Sequence, residues 1–241
     1  MARTMRDRTI IFYLVLVLVS LGVLVLLIAH GSAPRFKSAF LPVAMRQTVL
    51  VDPGHGGIDG GATVNGISEA PINLAIARKT SLLLIFLGQD ARLTRSDDGS
   101  LDYDPSATAR QNKNADLKAR LALWKSQPGN PFISIHLNQF PQTKYAGAQV
   151  FWSKNDPASQ TLAQILQENL RLTLDSANTR KAKPCQDVFL MEQITGTAVT
   201  VECGFLSNAS EWEKLQDASY QTKAAMAVAV GYLYFINEQG S

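Results

Sequence analysis

Residues 49–61 read VLVDPGHGGIDGG. An apolar, β-branched run meets Asp52 and Pro53 and then breaks into five glycines with a histidine among them, the pattern of a strand that ends in a tight turn. The chain has three histidines, His30, His55 and His136, so one placed in that turn is informative. Working outward, strand-like and helix-like patterns alternate. The reading is strand 48–51, helix 69–87, strand 90–94, helix 114–126, strands 132–136 and 147–152, helix 157–175, strands 187–190 and 198–203, and helix 218–237. Such alternation predicts an α/β fold: a single three-layer domain with a mainly parallel, mixed open sheet of about six strands flanked by helices.

Boundary signals support this. Asp156 before Pro157 reads as an N-cap with proline at the first helical position, and Ser210 with Glu213 fits a capping box. The run AAMAVAVGYLYFI near the end is too short to span a bilayer and reads as a core helix. The polar stretch SDDGSLDYDPSATARQNKN, residues 96–114, is the longest loop.

The amino terminus differs. Residues 9–29, TIIFYLVLVLVSLGVLVLLIA, carry no charge and are long enough for a membrane-spanning helix. Arg3, Arg6 and Arg8 precede them, which favours the amino terminus in the cytoplasm and the rest of the chain outside, attached to the cell membrane by a single pass. A cleaved signal peptide, with Ala29-His30-Gly31 as the small-x-small site and a secreted product, is the competing reading. The organisation is therefore an anchor or signal sequence at 1–30, a tether at 31–46 and one domain at 47–241. Three of the 23 basic and one of the 20 acidic residues precede residue 31, so the remainder carries a net charge of +1. That balance gives no electrostatic case for nucleic acid. Cys185 and Cys203 have no metal-ligand spacing; outside the cell a disulfide between them is permitted.

On this scaffold the rare polar groups gather. TVLVD leads to His55, FISIH ends in His136 and AVTVE ends in Glu202, each at the carboxyl end of a predicted strand, where open α/β sheets bind ligands. Two histidines there suggest a metal, and catalytic zinc takes three protein ligands. Glu69 is the candidate third, opening a helix after the glycine-rich loop; an acidic residue favoured at a helix amino terminus is the equal alternative. For either histidine alone a hydrogen-bonded core position is the alternative. A carboxylate after four strand-forming residues, as at Glu202, is buried only if paired, metal-bound or catalytic.

The blocks VDPGHGGIDGGA, SEAPINLAIA, FISIHLN and VTVECGFLSN, in this order, resemble the zinc-dependent N-acetylmuramoyl-L-alanine amidases of bacterial cell-wall turnover. The resemblance implies zinc held by His55, Glu69 and His136, a catalytic Glu202, and peptidoglycan as substrate. SIHLNQF leading into KYAGAQVFW, and no appended wall-binding domain after the last block, are similar to the germination-specific amidases of spore-forming bacteria. That likeness implies trimming of cortex peptidoglycan for muramic δ-lactam formation and a sporulation lipoprotein as partner. Two departures stand out: Ala70 and Pro71 follow Glu69 where the family commonly has a charged residue, and Thr197 replaces the usual proline before the last strand. They bear on the placement of Glu69 and on entry into that strand.

The chemistry follows from the residue types. Two neutral imidazoles and a carboxylate leave a zinc site with formal charge +1, able to polarise an amide carbonyl and acidify water. Glu202 then takes the water's proton and returns it to the departing amine. Gly54, Gly56 and Gly57 are expected to let the backbone turn and keep bulk away from His55, so that a polymer strand can approach. Asp52 is either a hydrogen-bond partner of His55 or a turn residue before proline. Asn138 is a substrate contact or a turn residue. Arg95 holds a substrate carboxylate or pairs with Asp97 or Asp98. The rival readings are a zinc peptidase cutting within the stem peptide and a non-catalytic, membrane-tethered wall-binding protein.

Overall fold

The computed structural model describes residues 47–239. The anchor, signal-peptide and tether readings of residues 1–46 lie outside the described residues. Among the described residues no helix is long and apolar enough to cross a membrane.

The chain runs β1 (Val49–Pro53), the hairpin β2 (Thr63–Val64) and β3 (Ile67–Ser68), α1 (Glu69–Phe86), β4 (Ala91–Leu93), α2 (Ala109–Lys125), β5 (Phe132–Asn138) and β6 (Gln149–Trp152). It continues through α3 (Pro157–Leu174), β7 (Lys183–Pro184), α4 (Phe189–Gln193), β8 (Ala198–Phe205), α5 (Ala209–Gln216) and α6 (Ala218–Gln239). The six-stranded sheet has the order β4-β1-β5-β8-β6-β7. β4, β1, β5 and β8 are parallel, β6 opposes β8, and β7 runs with β6, so the sheet is mixed and mainly parallel as the sequence predicts.

Side chains alternate across a strand, and the two faces of this sheet do different things. One face is apolar throughout. Val49, Val51, Ile133, Ile135, Leu137, Val199 and Val201 pack there against Ile76 of α1, Leu162 and Leu166 of α3, and Val228 and Tyr232 of α6. The run at 224–236 is thus core, as read. The other face starts apolar, with Leu50, Phe132 and Ala198 in register under Leu121 and Trp124 of α2 and Leu190, Met191 and Ile194 around α4. One step along the strands the register row is Asp52, Ser134 and Thr200; the next pairs His136 with Glu202. Strand alternation and register therefore carry polar groups to one edge of a hydrophobic sheet.

Three local readings need correction. Residues 187–190 are not a strand: Asp187 takes φ 55°, and Leu190, Met191 and Ile194 recur at helical spacing and bury against α2, while the edge strand lies earlier at Lys183–Pro184. Helix α2 starts at Ala109, not 114, because Thr108 and Gln111 form a reciprocal capping box that shortens the polar loop. Asn208, not Ser210, caps α5 by accepting from the Glu211 amide at 3.1 Å. The Asp156-Pro157 start is as read, with Asp156 Oδ1 accepting from the Ala158 amide at 3.0 Å. Both cysteines are free.

Beneath the polar row lies Arg120, 1% exposed. It donates to Asp116 Oδ2 at 2.7 Å, Asp52 Oδ1 at 2.6 Å, the Pro53 carbonyl at 2.7 Å and the His55 carbonyl at 2.6 Å. Asp52 also accepts from Thr94 and Ser134, each at 2.6 Å. Burial alone raises a carboxyl pKa, but Arg120 and the two hydroxyls overcome it and hold Asp52 below its ordinary value. Arg120→Met is expected to cost about 3–5 kcal/mol in urea unfolding, since it strands two carboxylates in the interior. Adding Asp52→Asn to that variant should recover part of the loss.

Candidate metal centre

The site begins where β1 ends. His55 adopts φ 61°, a conformation an L-residue enters only when its surroundings enforce it. The surroundings here are two buried arginines. Arg120 binds the carbonyls of Pro53 and His55, and Arg95 binds those of Pro53 at 3.0 Å, Gly54 at 3.1 Å and Ala70 at 3.0 Å. Three consecutive carbonyls are thereby fixed, and the turn is tied to the first turn of α1.

The same loop then folds back onto α1. The Glu69 amide donates to the Ala62 carbonyl at 2.9 Å and the Ala70 amide to the Gly60 carbonyl at 3.1 Å, so loop carbonyls satisfy amides that a helix start leaves unpaired. Pro71 sits in that first turn, where its missing N–H costs nothing, so the departure from the family pattern leaves Glu69 undisturbed. Thr197, the other departure, donates to Asp156 Oδ2 at 2.7 Å and joins the start of β8 to the cap of α3.

These constraints converge. Glu69 Oε1 lies 3.0 Å from His136 Nδ1 and 3.5 Å from His55 Nε2, and the imidazoles meet edge to face with centroids 4.9 Å apart. One donor atom from each of His55, Glu69 and His136 lies within 4.8 Å of the others. Asn73 donates to Glu69 Oε1 at 3.0 Å, the Leu137 amide to the same oxygen at 3.0 Å, and the Ala62 amide to Oε2 at 3.0 Å. Burial works against ionisation of Glu69, but the hydrogen bond and charge of His136 prevail and hold its pKa at about 2. The reading of Glu69 as a mere helix-terminus acid does not describe a buried carboxylate wrapped by four donors and a second imidazole.

His55 has a partner that the sequence reading missed. Its Nδ1 lies 3.0 Å from Asp59 Oδ2, which also receives Lys113 Nζ at 3.1 Å. Asp59 thus fixes the ring and leaves Nε2 turned toward Glu69. The expectation that Asp52 orients His55 is corrected: Asp52 is committed to Arg120, Thr94 and Ser134. The signal for Asp59 was its place four residues after His55 in a loop that must reverse. The signal for Arg120 was its spacing with Asp116 and Trp124 on the buried side of α2.

The glycines also serve another purpose than expected. A Cβ at Gly54 would stand 2.2 Å from the His136 ring, and one at Gly61 2.7 Å from both Glu69 Oε2 and His55 Cδ2. At Gly54 and Gly61 the imidazoles and a carboxylate fill the space a side chain would take, while Gly56 and Gly57, at φ 138° and 58°, make the turn as expected. Of the two readings of Arg95 the structure shows the pairing one: it is 3% exposed, lies 3.9 Å from Asp98 Oδ1, and gives its other donors to the carbonyls of Pro53, Gly54, Ala70 and Asp97.

Glu202 stands beside this cluster as the register partner of His136 on the neighbouring parallel strand. Its Oε2 is buried and accepts no hydrogen bond. Burial, with the negative charge of Glu69 adding to it and His136 opposing it, pushes the Glu202 carboxyl up to about 7. Asn138, two residues beyond His136, lines the same cleft as Glu202. Two imidazoles, a carboxylate and an unpartnered buried carboxyl oxygen suit a single divalent cation of the zinc type.

An open α/β sheet with a His–Glu–His cluster and a free carboxylate at its carboxyl edge has the donor set of a mononuclear metallohydrolase. The chain belongs to the N-acetylmuramoyl-L-alanine amidase family, whose model matches residues 49–233. The germination-specific N-acetylmuramoyl-L-alanine amidase of Bacillus subtilis is 34% identical over 194 residues, covering 80% of this chain and 81% of that one. Among solved structures, the CwlD amidase from Clostridioides difficile, in complex with the GerS lipoprotein, matches with TM-score 0.77 and 40% identity over 80% of this chain and all of that one. The catalytic domain of the amidase CwlV from Bacillus (Paenibacillus) polymyxa matches with TM-score 0.64 and 27% identity, over 79% and 98% of the two chains.

Proposed function

We propose that the domain is a zinc-dependent peptidoglycan amidase that hydrolyses the bond between the lactyl group of N-acetylmuramic acid and L-alanine. The observation that carries this is the unpartnered Glu202 carboxylate beside the His55, Glu69 and His136 donors, a base next to a cation site, within a chain of this family. A wall-binding module has no use for that pairing.

His55, Glu69 and His136 would hold the metal, which when bound supplies the Lewis acidity that polarises an amide carbonyl and lowers the pKa of water. Asp59 and Asn73 keep two of those side chains in position. Glu202 takes a proton from the attacking water and returns it to the alanine nitrogen as the C–N bond breaks, because an amide nitrogen departs only when protonated. Asn138 is placed to contact substrate in the cleft beside Glu202.

The likeness to the germination-specific amidase supports a role in spore-cortex maturation and muramic δ-lactam formation. The complex of CwlD with a lipoprotein supports a lipoprotein partner for this chain, and Leu82, Ile85, Phe86 and Leu87, exposed together at the end of α1, form an apolar stripe such a partner would cover. Residues 9–29 would hold the domain at 47–241 on the outer face of the cell membrane through the tether at 31–46; a soluble product beginning near Gly31 would overturn that placement.

Full-chain protein given defined muropeptides with zinc is expected to release intact peptides beginning with L-alanine, read by mass spectrometry, with the reaction lost to a chelator and regained with zinc. Fragments cut within the stem peptide would identify a peptidase. No zinc-dependent hydrolysis would leave the wall-binding reading.

A further inference from the structure

Glu202 lines a cleft of about 390 Å3 with Asn138, Phe151, Lys183, Thr200 and Val188. A second cleft, of about 420 Å3, shares Cys185, Gln186 and Val188 with it and continues past Lys154, Asp187 and Glu192. Both lie on the β8-β6-β7 flank of the sheet, and each has the volume of a ligand site. The opposite flank differs. There the cavity around His55, Asp59, Lys113 and His136 measures about 50 Å3, room for about one or two waters, and the cleft of about 590 Å3 lined by Asp102, Gln111, Asn114 and Lys118 shares no residue with it.

The asymmetry assigns direction to the substrate. In the amidase reading, on which this step rests, Glu202 protonates the departing nitrogen, so that nitrogen lies on the Glu202 side of the scissile bond. The chain attached to it continues away from His55 into the cleft that Glu202 lines. That chain is the peptide. Its recognition group is Lys183 on the edge strand β7, exposed to the cleft and, among the described residues, without an acidic side chain at ion-pair distance. Farther on, Lys154, Asp187 and Glu192 line the second cleft together, so its lining carries charges of both signs.

We propose that the cleft between Glu202 and Lys183 is the peptide subsite, and that Lys183 reads a carboxylate on the residue that follows L-alanine. The ligand class is an acidic peptide with alanine at its amino end. A surface ammonium and a carboxylate that meet beside a cleft wall discriminate modestly, since solvent screens part of the attraction.

The test uses full-chain protein and two muramyl dipeptides, one with a free carboxylate on the second residue and one with the corresponding carboxamide. Wild type is expected to show a KM about three- to tenfold lower for the carboxylate. Lys183→Ala should raise the carboxylate KM to that of the carboxamide and so erase the preference, while Lys183→Arg should keep it. A second readout needs no turnover. Cys185 lines both clefts, whereas Cys203 is buried, and burial pushes the Cys185 thiol up to about 11, so its alkylation is slow and easily timed. In metal-free wild type the peptide L-alanyl-glutamate should slow alkylation of Cys185 severalfold, and Lys183→Ala should lose the protection. Preference and protection both unchanged in Lys183→Ala would overturn the subsite while leaving the amidase reading intact. Absence of hydrolysis by wild type would count against the amidase reading, and the alkylation rates would still decide the cleft.

Discussion

Full-chain protein carrying Glu202→Gln is expected to keep its zinc and to hydrolyse muropeptides at least about a hundredfold more slowly than wild type. Glutamine preserves the volume and the packing of β8 but holds no proton acceptor of suitable strength, and Glu202 is not among the three clustered donors. Metal analysis and turnover measured on one preparation separate the roles: loss of zinc in this variant would make Glu202 a ligand, and unchanged turnover would remove it from the reaction. Stability offers an independent reading in metal-free protein. The Glu202 carboxyl is raised to about 7 when folded and is near 4.3 when unfolded, so folding takes up a proton between those values and wild type loses up to about 4 kcal/mol as pH rises through them. Below both values the group is protonated in either state and the difference vanishes. Glu202→Gln should therefore be more stable than wild type at pH 8 and equal to it at pH 4, measured by urea unfolding.

How much of this was legible follows from which interactions are local. The strand patterns read at 48–51, 132–136 and 198–203, with polar residues at or just beyond their ends, place the sheet and gather His55, His136 and Glu202 at one edge from sequence alone; the strands run on to Pro53, Asn138 and Phe205. The carboxylate at Glu69 was ambiguous because spacing cannot show that a loop closes on a helix start; that closure depends on the Ala62 and Gly60 carbonyls reaching the amides of Glu69 and Ala70. The carbonyl partners of Arg95 and Arg120 were hidden for a related reason. Their donors go to backbone carbonyls of residues 53–55, and a carbonyl carries no mark in the sequence. An arginine beside two aspartates reads as a surface ion pair until its burial is seen. The segment 187–193 failed on length, since four apolar residues fit a strand or a single helical turn equally, and the packing of Leu190, Met191 and Ile194 against α2 decided between them.

His55→Ala and His136→Ala are each expected to abolish zinc binding together with activity, because two remaining ligands cannot hold a tight tetrahedral site. The structure adds an expectation that distinguishes the pair. His55 leans on Asp59, which keeps Lys113 as a partner when the imidazole is gone, so metal-free His55→Ala should fold almost as well as wild type. His136 is the first influence offsetting the burial of Glu69, and the Gly54 turn is built around its ring. Removing it leaves a cavity against Gly54 and a buried carboxylate short of its strongest donor, so His136→Ala should also lower metal-free stability, by about 1–3 kcal/mol. Zinc content by mass spectrometry and urea midpoints of metal-free protein measure both effects. Stoichiometric zinc retained by both variants would remove these histidines from the ligand set, whereas zinc lost by both with only His136→Ala destabilised would show one residue serving the metal alone and the other serving metal and fold together.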